Sequence, residues 1–317
     1  MMGRLVWVCV LGLGIGCGDD SAPGTDAGVD ASGADAPGLD APGVDAPRVD
    51  APGVDAPGVD APGVDSGGTD SGRVDAGGGG DPWRPAPGTT WYWQLQGTID
   101  TTRDVQAYDI DLFDAPDRVL TALQDAGRTV ICYFSAGSYE EWRSDAGDFP
   151  AAALGEPLDG WAGERWLDVR HAGARAVLVA RLDLARARGC DAVEPDNVDG
   201  YTNDTGFPLR AADQIEFLTF LANEAHARGL SIGLKNDVDQ LDALEPLFDW
   251  ALNEQCDEYD ECGGYDVFID AGKAVFHVEY GGAALAGRVC GRTSALGLST
   301  AIANLDLDGS RWIGCWE

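Results

Sequence analysis

Basic side chains, histidine and methionine are all scarce in this sequence: 21 Lys and Arg stand against 54 Asp and Glu, with three His and two Met. A formal net charge of −33 excludes a polyanionic partner, since nucleic acid and anionic membrane surfaces would be repelled. Three histidines without an HExxH, and cysteines without a CxxC, leave no zinc motif. No GxSxG elbow is present, and the one glycine cluster, residues 77–80, is not placed to cradle a phosphate. No apolar run reaches the ~20 residues of a bilayer-spanning helix. The sequence therefore asks for no cofactor and no metal.

What is present divides into three parts. Residues 1–17 read as an export signal, with Arg4 followed by an apolar run from Leu5 to Ile15. The run Leu13-Gly14-Ile15-Gly16-Cys17 resembles a bacterial lipobox, with Gly14 where leucine is usual, so lipidation of Cys17 is expected. Residues 18–81 are a spacer in which Asp returns every five residues from Asp30 to Asp75, between Ala-Pro-Gly-Val units. Such units bury too little to offset their ordering entropy, and the segment is expected to be disordered. The chain is then exported and held at the outer membrane or cell surface by its lipid, or released. Its membrane contact is confined to that anchor.

Residues 82–317 carry a net charge of −22 and suffice for one monomeric domain. Short apolar runs alternate with amphipathic stretches. Strands are expected at 91–95, 129–134, 165–169, 192–194, 230–234, 249–252, 274–278 and 295–300, with helices over 116–126, 174–188 and 211–228. Asp114 is the expected cap of the first helix. Eight strands separated by helical segments favour an α/β fold, a closed (β/α)8 barrel of the TIM type. Six cysteines fall in this domain. Cys256/Cys262 and Cys290/Cys315 are local pairs, while Cys132 and Cys190 are either buried thiols or a third bridge.

In such a barrel the reacting groups lie at the C-terminal ends of the strands. Those ends are polar here: Ser135, then Asp168, then Glu194, Asp196, Asn197 and Tyr201, then Lys235 and Asn236, then Asn253 and Glu254, then Glu279 and Tyr280. Asp199 and Asp237 fit helix N-caps instead. Recurring carboxylates at one mouth suit glycoside hydrolysis, where one carboxyl protonates the leaving oxygen and another attacks or activates water. Tyr139, Trp142, Trp161, Tyr201 and Tyr280 lie in loops that would face a sugar, although packing explains any one of them as well. His226, on the longest helix, reads as structural.

Six ordered strings resemble the endo-α-1,4-polygalactosaminidase family of glycoside hydrolases. They are VICYFSAGS (130–138), LDGW with ERWLD (158–168), GCDAVEPDN (189–197), DGY (199–201), GLKND (233–237) and NEQC (253–256). The resemblance covers about residues 90–290 and implies a barrel that cleaves galactosamine-containing α-1,4 exopolysaccharide internally. It implies Asp196 as nucleophile and Glu254 as acid/base. The substrate-binding set would be Ser135, Asp168, Glu194, Asn197, Tyr201, Lys235, Asn236, Asn253, Glu279 and Tyr280. A partly deacetylated polymer is cationic and would suit the acidic domain. Two alternatives share these residues: a non-catalytic polysaccharide-binding surface lipoprotein, and a glycosidase for another amino-sugar polymer.

Overall fold

The computed structural model describes residues 81–316; the expected signal, Cys17 and nearly all of the spacer lie outside the described residues. In chain order the elements are β1 (Trp91–Gln94), β2 (Ala107–Asp111), α1 (Asp117–Asp125), β3 (Thr129–Ser135), β4 (Ser138–Glu140), β5 (Leu154–Pro157) and β6 (Glu164–Leu167). There follow α2 (Ala172–Arg188), β7 (Ala192–Asp196), α3 (Ala211–Ala227), β8 (Ser231–Lys235), α4 (Leu241–Leu244) and β9 (Trp250–Glu254). The last are α5 (Asp266–Asp270), β10 (Val275–Tyr280), α6 (Ala283–Ala295), β11 (Ser299–Ala303) and β12 (Trp312–Gly314), with short 3-10 turns between.

Eight strands, β1-β2-β3-β7-β8-β9-β10-β11, pair in parallel, and β12 adds antiparallel to β11. The first strand returns to the last, because the Trp91 indole N–H donates to Ser299 O at 2.7 Å. The fold is thus a nearly closed (β/α)8 barrel. Its strands are buried along almost their whole length, as a sheet covered by helices requires.

Alternation along each strand sends every second side chain inward. Trp91, Trp250 and Phe276 fill the lower barrel, with Phe276 4.8 Å from Trp91 and 5.2 Å from Trp250 between ring centroids. Trp83, just before β1, lies edge-on to Trp250 at 6.4 Å. Gly233 on β8 makes this packing possible: a Cβ there would stand 2.4 Å from the Trp250 ring. Outside, α2 buries Leu178, Leu182 and Ala185 and ends at Gly189 in the left-handed region. Helix α3 buries Phe217, Leu218, Leu221 and Ala225.

The eight parallel strands are not the eight expected. β2 is additional, because Asp109 and Asp111 interrupt the apolar pattern of a strand whose five residues are all buried. The strand expected at 165–169 is β6, which pairs antiparallel with β4 and β5 in a small side sheet, not with the barrel. The eighth barrel strand begins only at Ser299, since α6 runs on to Ala295. Asp114 does not cap α1. Pro116 takes that position without a side-chain bond, and Asp114 pairs with Arg143. The three disulfides are Cys132–Cys190, Cys256–Cys262 and Cys290–Cys315, so Cys132 and Cys190 form the third bridge. His226 is structural as expected: its Nε2 lies 2.9 Å from Asp249, which also accepts from Ile232 N and Arg84.

Candidate active site

The C-terminal ends of β7, β8 and β9 meet around one ammonium. Lys235 Nζ lies 2.9 Å from Glu194 Oε1, 2.9 Å from Asp196 Oδ1 and 3.1 Å from Glu254 Oε2. Strand periodicity explains the convergence. Glu194 and Asp196 are two residues apart on β7 and share its inner face, while Lys235 and Glu254 are the last residues of β8 and β9. The Lys235 ammonium also sits over the Trp93 ring of β1, 4.8 Å from its centroid. Burial alone would favour a neutral amine, but three surrounding carboxylates hold the Lys235 pKa well above its ordinary value.

The carboxylates differ in access. Glu194 is closed off entirely, whereas the side chains of Asp196 and Glu254 keep 18% and 25% of their surface exposed. Asp196 and Glu254 are therefore the pair that meets solvent at the mouth. Burial works against the Asp196 charge. The Lys235 ammonium and hydrogen bonds from Lys235, the Asn197 N–H and Tyr133 outweigh it and hold its carboxyl below the usual range. The Tyr133 hydroxyl donates to Asp196 Oδ2 at 2.9 Å. On the other side, the Tyr280 hydroxyl donates to Glu254 Oε1. Burial keeps both phenols protonated.

Beneath this pair lies a carboxyl that sequence reasoning missed. Asp109 on β2 is fully buried beside Glu194, and neither of its oxygens meets a donor. Two buried carboxyls in contact cannot both ionise. Glu194 offers its other oxygen to Lys235, so the proton belongs on Asp109, whose pKa is pushed well above the carboxylate range by burial and by the Glu194 charge. A neutral Asp109 thus donates to Glu194, which holds Lys235. The signal available was the alternation of Asp109 with Asp111, two inward-facing acids in a short strand.

The backbone turns sharply after each charged strand end. Asn197, Asn236, Asp237 and Gln255 all have φ between 46° and 66°. Asn and Asp tolerate the left-handed region best, and such outliers cost about 1–3 kcal/mol each and collect at functional sites. The turns place polar supports. Asn197 Nδ2 donates to Ser135 Oγ at 3.0 Å and Ser138 Oγ at 3.2 Å, and Asn236 Oδ1 accepts from the Glu254 N–H at 2.9 Å. Gly137 is required there, because a Cβ would lie 1.6 Å from Asn197 O.

Several expected residues do other work. Asp168 follows β6 of the side sheet and is held by Arg170 at 2.8 Å, so it does not join the carboxylates around Lys235. Glu279 Oε1 is occupied by His277 at 3.0 Å and by the N–H groups of Asp257 and Glu258. Asn253 shapes the loop after β9, through Tyr265 and the Cys256 N–H. Tyr201 lies beside Asp237. Neither Asp237 nor Asp199 caps a helix with its side chain, and burial pushes Asp237 up to about 8. Cys256, Cys262 and His277 gather within 4.8 Å, but the two cysteines form a disulfide and offer no thiolate to a metal. A cleft of about 570 Å³ opens beside Tyr280, between Asp257 and Glu258 on one side and α6 on the other.

A sequence profile of the glycoside-hydrolase family GH114 matches residues 74–315. The crystal structure of Aspergillus fumigatus Ega3 in complex with galactosamine is 45% identical. The match covers 75% of this chain and 99% of that one, with a TM-score of 0.71. The glycoside hydrolase domain of PelA from Pseudomonas aeruginosa shares the fold at 14% identity, over 71% of this chain and 96% of that one, with a TM-score of 0.56. No curated protein matches the chain.

Proposed function

Since the chain belongs to the glycoside-hydrolase family GH114, we propose that it hydrolyses α-1,4 linkages within galactosamine-containing polysaccharide, with Asp196 as nucleophile and Glu254 as acid/base. The observation that carries this reading is the half-open carboxylate pair on one buried ammonium. Asp196 Oδ1 and Glu254 Oε2 lie 2.9 Å and 3.1 Å from the same Lys235 nitrogen, which caps their separation at the total, 6.0 Å. An inverting enzyme needs roughly 6.5–9.5 Å to seat an attacking water, whereas a retaining one works at about 5–5.5 Å. That bound on the two facing oxygens is compatible with double displacement, the course taken here. Asp196 attacks the anomeric carbon while Glu254, which takes up a proton from solvent before the step, delivers it to the departing oxygen. Glu254 then takes a proton from water as that water releases the sugar from Asp196. Lys235 and Tyr133 keep Asp196 ionised before attack and receive its charge again when it leaves.

The amino-sugar assignment is supported by the galactosamine bound to the 45%-identical relative and by the −22 charge of residues 82–317. A deacetylated galactosamine polymer is cationic, so its attraction should weaken with salt. On the sequence reading, Cys17 is lipidated after export and the acidic spacer holds the domain away from the membrane. Labelled fatty acid incorporated into the wild type and lost in Cys17→Ser would bear this out.

The direct test is incubation with galactosamine-rich exopolysaccharide, followed by product sizing and determination of the first anomer released. Short oligomers of retained α configuration are expected. Asp196→Asn and Glu254→Gln should each lower turnover at least ~100-fold with the fold intact. An intact polymer, a β product, or near-normal turnover in either variant would refute the assignment.

A further inference from the structure

Among the described residues only two tryptophans are exposed, Trp142 at 52% and Trp161 at 45%. Both stand on the side sheet. Trp142 follows the end of β4 by two residues, and Trp161 lies in the turn between β5 and β6. A backbone bond joins these two segments, the Glu141 N–H donating to Gly163 O at 3.1 Å, and the Glu164 N–H closes the turn on Trp161 O at 3.2 Å. Gly163, at φ 91°, admits the contact. A Cβ there would stand 3.0 Å from the Trp142 ring and 2.9 Å from Glu141 Oε1. An indole and a carboxylate thus press against the turn that carries the second indole.

The strand that leads to Trp142 starts beside the catalytic carboxylates. Ser138 begins β4, and its Oγ lies 2.6 Å from Ser135 Oγ and 3.2 Å from Asn197 Nδ2, next to Asp196. From Ser138 to Trp142 the chain runs four residues, a reach of at most ~13 Å at ~3.3 Å each. Exposed aromatic surface of this kind marks a binding site more often than a packing fault. Its charge selects the ligand. Glu141 and Asp159 are exposed in the same segments, while the nearby Arg165 guanidinium is turned onto Gly155 O at 2.6 Å.

We propose that Trp142, Trp161 and Glu141 form a distal subsite that holds an amino-sugar unit of the polymer away from the scissile bond. The indoles stack on the apolar C–H faces of the sugar rings, and Glu141 pairs with an ammonium group. The inference rests on the proposed function and names where a long chain is held. A short oligomer bound at Lys235 does not reach it.

The test uses Trp142→Ala, Trp161→Ala, their double variant and Glu141→Gln, all exposed positions whose melting temperatures should match the wild type. On long galactosamine polymer the double variant should raise KM about tenfold, from two lost aromatic contacts, with kcat unchanged. On the shortest oligomer that is cut, KM should not move. Glu141→Gln should raise KM less and reduce its salt dependence. Equal KM on long polymer overturns the subsite, as does an equal rise on the shortest oligomer. So does loss of self-association in the double variant, which would make the surface a contact between copies. Binding is read separately in a Glu254→Gln background: the polymer should quench tryptophan fluorescence, and the quench should vanish with both indoles. A polymer that quenches both forms equally sinks the subsite, whether or not the wild type cleaves it. Failure of the wild type to cut any galactosamine polymer counts against the proposed function alone.

Discussion

Lys235 is a buried cation that balances three carboxylates, and its removal exposes what it supports. Lys235→Met would leave Glu194 buried without a counter-charge, and stripping one partner from a buried pair costs about 3–5 kcal/mol. Chemical denaturation should show a loss of that size alongside a collapse of activity; unchanged stability would mean that the carboxylates are not held by this ammonium. Asp109 gives a finer test, because it acts through its proton. Asp109→Asn keeps a neutral side chain with an N–H donor for Glu194 and should lose less than tenfold in kcat. Asp109→Leu removes the donor and should lose far more. Infrared spectroscopy at neutral pH should find a protonated-carboxyl band in the wild type that Asp109→Asn removes, apart from the bands of Asp237 and Glu164 that remain. Its absence from the wild type would show that the proton resides elsewhere. The sequence made Asp196, Glu254, Lys235 and Glu194 legible, since each closes an apolar run. Tyr133 was not, because a polar residue inside an apolar run has no local mark that distinguishes an inward face from an outward one, and Asp109 was marked only by its alternation with Asp111.

Element boundaries show where sequence periodicity stops being informative. β3, β7, β8, β9 and β10 lie where apolar runs predict them, because both faces of a barrel strand are covered and the run is continuous. β2 and β6 defeat the same rule from opposite sides. Asp109 and Asp111 make a barrel strand look polar, and Trp166 and Leu167 make a side-sheet strand look like a barrel one. Only pairing partners tell them apart, and those lie far along the chain. The disulfides follow a similar logic of separation. Cys132–Cys190 closes 58 residues and ties β3 to the segment before β7, whereas Cys256–Cys262 closes six within the loop after β9. The chain-entropy relation gives about 4 kcal/mol for the first and about 2 for the second. Denaturant melts of the paired Cys→Ala variants should rank in that order. A larger loss from the short bridge would mean that the loop after β9, and not the barrel wall, limits stability.

For the whole molecule, charge and buried acids act on stability in the same direction. Burial pushes Asp237 up to about 8 and Glu164 up to about 7, against 3.8 and 4.5 in an unfolded chain. Each binds a proton more tightly when folded, so its contribution is fully present below the unfolded pKa and is lost as pH rises through the folded value. Asp196 and Asp168 run the other way. Their depressed folded pKa values contribute stability above the unfolded pKa, and this is lost as pH falls through the folded value. A net charge of −22 on residues 82–317 adds self-repulsion that grows as the carboxylates ionise. The melting temperature should therefore peak near pH ~5, between the two sets of carboxyls, and fall toward pH 8. Added salt should recover part of the loss at pH 8, because it screens surface repulsion while leaving Asp237 and Glu164 buried. Complete recovery by salt would assign the whole decline to surface charge and remove the two buried acids from the account. A melting temperature that climbs steadily from pH 5 to pH 8 would contradict both causes, since neither the raised carboxyls nor the net charge can stabilise the fold in that direction.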